Sequence, residues 1–141
     1  FACGGGIYAS AAEAAAKVEG AKVIGVDVDQ AGIIDGKYGE GMTVTSAMKG
    51  LAPTVKTVLA AISADKWADF GGKIETLGLV SENPDDNYVQ LAGSTQFADG
   101  FTQDDYKTLV ASMFKGDIKV DNSTEKLPEV SVKVEMFDNI L

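Results

Sequence analysis

The stretch VIGVDVDQ, residues 23–30, decides the fold class. Its β-branched side chains follow one another with little polar interruption, and the run ends in two aspartates. This pattern predicts a strand over residues 21–28 that is buried on both faces, as in parallel sheets covered by helices. Asp27 and Asp29 would then lie where the strand ends.

The residues before this stretch predict a strand, a turn and a helix. Residues 1–3 read as the stub of a buried strand that includes Cys3, and residues 4–6 are glycines suited to a tight turn. Residues 7–19 are rich in alanine and stop before Gly20, which favours a helix with glycine in its C-terminal capping position. The order places a helix immediately before the decisive strand.

The residues after this stretch predict more strands and a helix. Residues 31–41 show no period and read as a loop, whereas residues 42–48 predict a second strand. Pro53 suits the first turn of a helix whose apolar residues recur at helical spacing, and this helix is expected to pack against the sheet. Residues 73–80 and 88–91 predict two further strands.

The last third of the chain predicts one helix and one strand. Thr102 can cap a helix that Gly116 stops, with a buried stripe of Tyr106, Leu109, Val110 and Met113. Residues 130–136 alternate apolar and polar side chains, as a half-buried strand does. The whole succession predicts an α/β fold with a mostly parallel sheet flanked by helices.

Composition narrows the function. The chain has 141 residues and 45% hydrophobic content, enough for the core of one domain. Its net charge is -9 and its 12 Lys and Arg residues are scattered, so no nucleic-acid partner is expected. It has one cysteine and no histidine, which argues against catalysis. We therefore predict no catalytic residue, no metal ligand and no cofactor.

Three features are predicted at the carboxyl ends of strands, where parallel α/β sheets bind ligands. They are the turn of Gly4, Gly5 and Gly6, the acidic pair Asp27 and Asp29, and Lys49 after the second strand. A carboxylate can accept two hydrogen bonds from a vicinal diol, and an ammonium group can donate to hydroxyl oxygens while balancing the charge. The glycines can let backbone amides approach a ligand, or can simply permit the turn.

The same residues permit a different hypothesis. Gly4, Gly6 and Ala9 satisfy the G-x-G-x-x-G/A pattern of dinucleotide-binding folds, and Asp27 follows about twenty residues later. In that case the turn holds a pyrophosphate and Asp27 binds a ribose. The alternative function is a nucleotide-binding, Rossmann-like enzyme domain.

Five segments in order resemble the basic membrane protein (BMP) family, whose members include purine nucleoside receptors. The segments are FACGGG (residues 1–6), VIGVDVDQ (23–30), TSAMK (45–49), DKWADFGG (65–72) and KGDIKV (115–120). The resemblance implies one lobe of a type I periplasmic-binding-protein fold, in which two lobes joined by hinge strands close on a ligand. Residues 1–141 would be the C-terminal lobe, a fragment of the whole, with a hinge strand near residues 73–80.

The resemblance also implies a function and a location. The chain would belong to the extracytoplasmic solute-binding component of an ABC transporter, a non-enzymatic lipoprotein held at the membrane that delivers a purine nucleoside to the permease. Asp27 and Lys49 would bind the ribose, while Asp29 and Gln30 match an Asp-Gln pair expected to fix the loop. A sensory ligand-binding domain of the same fold is a further alternative, and self-association of the isolated lobe is expected.

Overall fold

The computed structural model describes residues 1–121 and 129–135, which form a small sheet flanked by helices. The strands are β1 (Val23–Asp27), β2 (Thr43–Lys49) and β3 (Val89–Leu91). The helices are α1 (Tyr8–Ala15), α2 (Ala31–Tyr38), α3 (Leu51–Ser63) and α4 (Gln103–Lys115). The described residues also contain three short 3₁₀ turns, at Gly5–Ile7, Trp67–Asp69 and Pro84–Asp86.

The sheet has the order β1-β2-β3 and is mixed. β1 and β2 run parallel with α2 as their crossover, and Asp27 lies across from Met48. β3 returns antiparallel to β2, so that Val89 lies across from Lys49. The predicted α/β class is therefore confirmed in its coarse form, but the prediction of a mostly parallel sheet holds for only one of the two strand pairings.

The core is formed by α1, β1 and α2. Ala12, Val23 and Ile34 are its buried centre. Partly buried side chains surround them: Tyr8, Ala11, Ala15, Tyr38 and Met42. The strand predicted from residues 23–30 thus supplies Val23 to the core in which α1 and α2 meet.

Helix α2 replaces the loop predicted over residues 31–41, and that prediction was wrong. The helix buries a single apolar side chain, Ile34, which is 0% exposed. One buried residue in eight leaves no periodic signal, and the two helical glycines lower the helix propensity further. The carboxylate of Asp35 accepts hydrogen bonds from the backbone N–H groups of Gly41 and Thr43, at 3.0 and 2.9 Å, and so fixes the connection to β2.

The N-terminal predictions also need correction. Residues 1–3 form no strand, and Cys3 is exposed rather than buried. Helix α1 ends at Ala15, four residues earlier than predicted, because the next turns tighten to hydrogen bonds such as Val18 N–H to the Ala15 carbonyl, 2.9 Å. The Val18 side chain is exposed, so no buried apolar contact extends the helix.

Residues 73–80 form no strand, contrary to the prediction, and Ile74 is 100% exposed. The chain is held instead by the fully buried side chain of Asn87. Its Oδ1 accepts hydrogen bonds from the N–H groups of Val80 and Ser81, at 2.7 and 2.9 Å. These side-chain bonds take the place of a ladder between strands.

Helix α3 forms as predicted but does not bury its apolar stripe. Leu51, Val55, Leu59 and Ile62 are each more than half exposed, and only Ala61 is buried. Of the predicted stripe Val55, Val58, Leu59 and Ile62, only Val58 is half-buried, so the expectation that this stripe packs against the sheet was wrong. The exposed side chains of Leu51, Val55, Leu59 and Ile62 lie on one side of the helix, and we call this apolar surface the α3 stripe.

Helix α4 confirms its predicted start and end. Thr102 forms a capping box with Asp105, and Gly116 ends the helix in the left-handed conformation that glycine favours. Residues 129–135 form no strand, contrary to the alternating pattern, and Met136 lies outside the described residues. Within residues 1–121 and 129–135, no helix is long and apolar enough to cross a membrane.

Candidate functional site

Asp27 and Lys49 meet at the carboxyl ends of the two parallel strands. Lys49 Nζ lies 2.8 Å from Asp27 Oδ1, and the two side chains are 69% and 36% exposed, Lys49 being the more open. An ion pair this open to water stabilises a fold by only about 0–1 kcal/mol. Two residues chosen from the sequence alone thus lie in direct contact, and both remain accessible to a ligand.

The backbone at Asp27 is strained. Its φ is 70°, in the left-handed region, and the Val28 N–H donates a 2.8 Å hydrogen bond to the Val26 carbonyl across it. A three-residue turn with positive φ at its centre is the rarer and more strained form of γ-turn. Such strain persists only where surrounding contacts enforce it, and it clusters at functional sites. The turn fixes the carboxylate at the strand end.

Gln30 has a buried side chain and forms hydrogen bonds to three other segments near the Asp27–Lys49 pair. Its Oε1 accepts from the Val26 N–H at 3.0 Å, and its Nε2 donates to the Gly5 carbonyl at 3.2 Å. Its backbone N–H donates to Ser46 Oγ at 3.1 Å. The expectation that Gln30 fixes the loop is confirmed, and the bond to Gly5 brings the glycine turn to the end of β1.

Gly25 is required by this arrangement. A Cβ at position 25 would lie 2.5 Å from Ser46 Oγ and 3.0 Å from the Gln30 side chain. Because carbon and oxygen atoms do not approach so closely without displacement, only glycine allows Gln30 to fold back over β1. The glycine in the middle of the decisive strand therefore serves the loop contact.

Asp29 does not join Asp27 at the pair. Its Oδ1 accepts from the Ala31 N–H at 3.1 Å, at the start of α2, and from Ser94 Oγ at 2.7 Å. The second bond connects the end of β1 to the loop after β3. Asp29 is thus a positioning residue that links the two loops beside the pair.

Gly5 and Gly6 lie in the exposed 3₁₀ turn before α1. A Cβ built on either would meet nothing within 4 Å, so no neighbour requires glycine there. Gly5 is joined to the site through Gln30, whereas the structure gives Gly6 no such link to the pair. The dinucleotide pattern needs a strand ahead of its glycines, and residues 1–3 form none.

A pocket of about 280 Å³ lies between the end of β2, β3 and α4, and we call it the α4 pocket. Its walls include Met48, Gln90, Phe97, Gln103 and Tyr106. The pocket could not be predicted from the sequence because its walls come from four separate segments, and Tyr106 was predicted only as part of a buried stripe. No single motif marks it.

Among the described residues, no group of three or more His, Cys, Asp or Glu side chains is arranged to hold a metal ion. Comparison of the chain with known protein families, with curated proteins and with solved structures gives no significant match.

Proposed function

We propose that this chain binds a purine nucleoside, or a similar ribose-containing ligand, through Asp27 and Lys49. The observation that carries the proposal is the 2.8 Å contact between their charged groups at the ends of two parallel strands. The carboxylate would accept hydrogen bonds from the two ribose hydroxyls, and the ammonium group would donate to a hydroxyl or ring oxygen. Both groups are exposed enough for a ligand to reach them.

The surrounding contacts support a preorganised site. Gln30 and Asp29 fix the backbone on either side of the strand end, and Asp27 is held in a γ-turn. A fixed carboxylate loses little conformational freedom on binding, which saves part of the entropic cost of association. On binding, ligand hydroxyls would replace the contact between the two charged groups, so neither group would be left without a hydrogen-bond partner.

The wider role that we propose follows the family resemblance. The chain would be the C-terminal lobe of a type I periplasmic-binding-protein fold, acting without catalysis in the solute-binding component of an ABC transporter. A second lobe would close over the ligand, and the parent protein would be a lipoprotein at the outer face of the cell membrane. An ABC permease would receive the solute.

The exposed α3 stripe supports the expectation that the isolated lobe associates with itself. Its four large apolar side chains, Leu51, Val55, Leu59 and Ile62, form one side of a thirteen-residue helix. Contiguous exposed apolar surface favours association in water. Sedimentation velocity of the wild type against Leu59→Lys tests this, and an unchanged monomer in both would reject it.

Calorimetry tests the ligand class. The chain is titrated with inosine, adenosine, guanosine and NAD under the same conditions. We expect heat from at least one of the three nucleosides. Binding of NAD without any nucleoside would overturn the proposal in favour of a dinucleotide-binding enzyme domain.

A further inference from the structure

The α4 pocket and the Asp27–Lys49 pair are connected through Met48, although neither Asp27 nor Lys49 lines the pocket. Met48 lines the pocket, directly precedes Lys49, and is the register partner of Asp27 on the neighbouring strand. Neighbouring strands are about 5 Å apart, so the mouth of the pocket and the carboxylate belong to one small region. The 2.7 Å bond from Ser94 Oγ to Asp29 Oδ1 holds the adjoining loop in place, since Gly93 and Thr95 also line the pocket.

The pocket walls suit a planar ring. Phe97 and Tyr106 have ring centroids 6.3 Å apart with planes tilted by 38°, and both line the cavity. Met48 adds a thioether, a group that makes favourable contacts with aromatic rings. At about 280 Å³ the pocket is at the small end of ligand sites, which typically start near 300 Å³. It accommodates one heterocycle rather than a large molecule.

The polar groups of the pocket suit a ring that both donates and accepts hydrogen bonds. Gln90 Nε2 is already engaged, donating to the carbonyls of Asp85 and Asn87 at 2.7 and 2.9 Å, which fixes the amide plane. Its Oε1 is then oriented as an acceptor. The Gln103 amide offers a donor and an acceptor, and the Tyr106 hydroxyl offers either.

We propose that the α4 pocket binds the base of the ligand, a planar nitrogen heterocycle, while Asp27 and Lys49 bind its sugar. The sugar part of this inference rests on the proposed function, whereas the pocket is defined by its own walls. Base recognition would then be built into this lobe, with the ring placed against Tyr106 and its polar edge against Gln103 and Gln90. A base joined directly to ribose would suit two subsites connected by Met48, which lines the pocket and lies across from Asp27 on the neighbouring strand.

Nuclear magnetic resonance of the 141-residue chain separates the two subsites. The chain is titrated with ribose, with adenine and hypoxanthine, and with adenosine and inosine. Signals of the Tyr106 ring and the Gln103 side-chain amide report the pocket, and those of Asp27 and Lys49 report the pair. We expect ribose to shift the pair alone, the free bases to shift the pocket alone, and the nucleosides to shift both.

The variant Gln103→Ala should weaken binding of the free base at least 3-fold and leave the ribose shifts unchanged. The matched control is Thr108→Ala, because Thr108 is exposed on the same helix and lies outside the pocket walls. Equal weakening by both variants would contradict a role for the Gln103 amide.

The possible failures are distinct. If nucleosides shift Asp27 and Lys49 but leave Tyr106 and Gln103 unmoved, the pocket inference is overturned and the proposed function stands. If the bases shift the pocket and neither ribose nor nucleosides shift the pair, the pocket is a heterocycle site and the proposed function fails. If no compound shifts either set, both are overturned.

Discussion

Gln30 and Ser46 join the two parallel strands behind the candidate site, through a 3.1 Å hydrogen bond from the Gln30 backbone N–H to Ser46 Oγ. The Gln30 side chain is buried and bonded at both of its polar atoms, to Val26 and to Gly5. Because each of these groups is shielded from water, the loss of one leaves its partner unsatisfied. The geometry of the C-terminal end of β1 therefore depends on Gln30.

Replacing Gln30 should therefore destabilise the fold. For Gln30→Ala we expect a loss of about 1–3 kcal/mol in the free energy of unfolding, since the Val26 N–H and the Gly5 carbonyl lose their partners. Urea denaturation followed by circular dichroism measures it. Gln30→Glu places a buried carboxylate oxygen against the Gly5 carbonyl, so at neutral pH it should destabilise the fold at least as much. A wild-type midpoint in Gln30→Ala would contradict the role.

The steric requirement at Gly25 can be tested with a matched glycine. Gly25→Ala brings Cβ within 2.5 Å of Ser46 Oγ and should cost about 1–3 kcal/mol by overpacking. Gly36→Ala, in the open middle of α2, meets nothing within 4 Å and should stabilise by about 0.5–1 kcal/mol. Thermal unfolding measures both. A shift of the melting temperature in the same direction for both substitutions would contradict the steric requirement at Gly25.

Thr43 offers a stabilising substitution. Its hydroxyl, at the start of β2, is buried and has no hydrogen-bond partner among residues 1–121 and 129–135. Thr43→Val replaces that hydroxyl by a methyl group of similar shape, so the unfolding free energy should rise by about 1 kcal/mol. Thr43→Ser keeps the hydroxyl and removes a methyl group, and should be less stable than the wild type. A destabilised Thr43→Val protein would mean that the hydroxyl has a partner.

The capping box of α4 predicts a pH dependence. The Thr102 hydroxyl and, to a smaller extent, the Thr102 backbone N–H donate hydrogen bonds to the Asp105 carboxylate. These bonds lower the pKa of Asp105 below its usual range. A carboxylate with a lowered pKa in the folded state stabilises the fold above its unfolded pKa, about 4, and this contribution is lost as pH falls through the folded pKa. Carbon-detected titration of Asp105 should show its pKa rising in Thr102→Val and unchanged in Thr102→Ser. Equal values in all three proteins would rule out the side-chain bond as the cause.

The sequence predicted best those elements whose signal is local. β1 is rich in β-branched residues, β2 begins with three of them, and α4 carries both a capping residue and a stopping glycine. Asp27 and Lys49 could be chosen for the same reason, since each ends a recognisable strand. Their contact follows from the parallel pairing of those strands.

The remaining elements depend on tertiary contacts that leave no periodic pattern. α2 forms around one buried side chain, Ile34, and residues 78–81 are held by hydrogen bonds to Asn87 and Tyr88 rather than by a strand partner. α3 has a helical period, but the period could not reveal that the apolar stripe faces water. The α4 pocket is assembled from distant segments, so only the fold brings Met48 and Tyr106 together.

The most direct test of the central claim is the dissociation constant of the nucleoside for Asp27→Asn, measured by calorimetry or by chemical-shift titration. Asparagine tolerates the left-handed conformation at this position, so the variant removes the charge without adding strain. The control is Glu13→Gln, which breaks another exposed ion pair, with Lys17 at 3.2 Å. We predict that Asp27→Asn weakens nucleoside binding more than 10-fold, as the loss of a charged hydrogen bond of about 1.5–3 kcal/mol requires, while Glu13→Gln changes nothing. Equal affinity in the wild type and Asp27→Asn would contradict the assignment of Asp27 to the ribose.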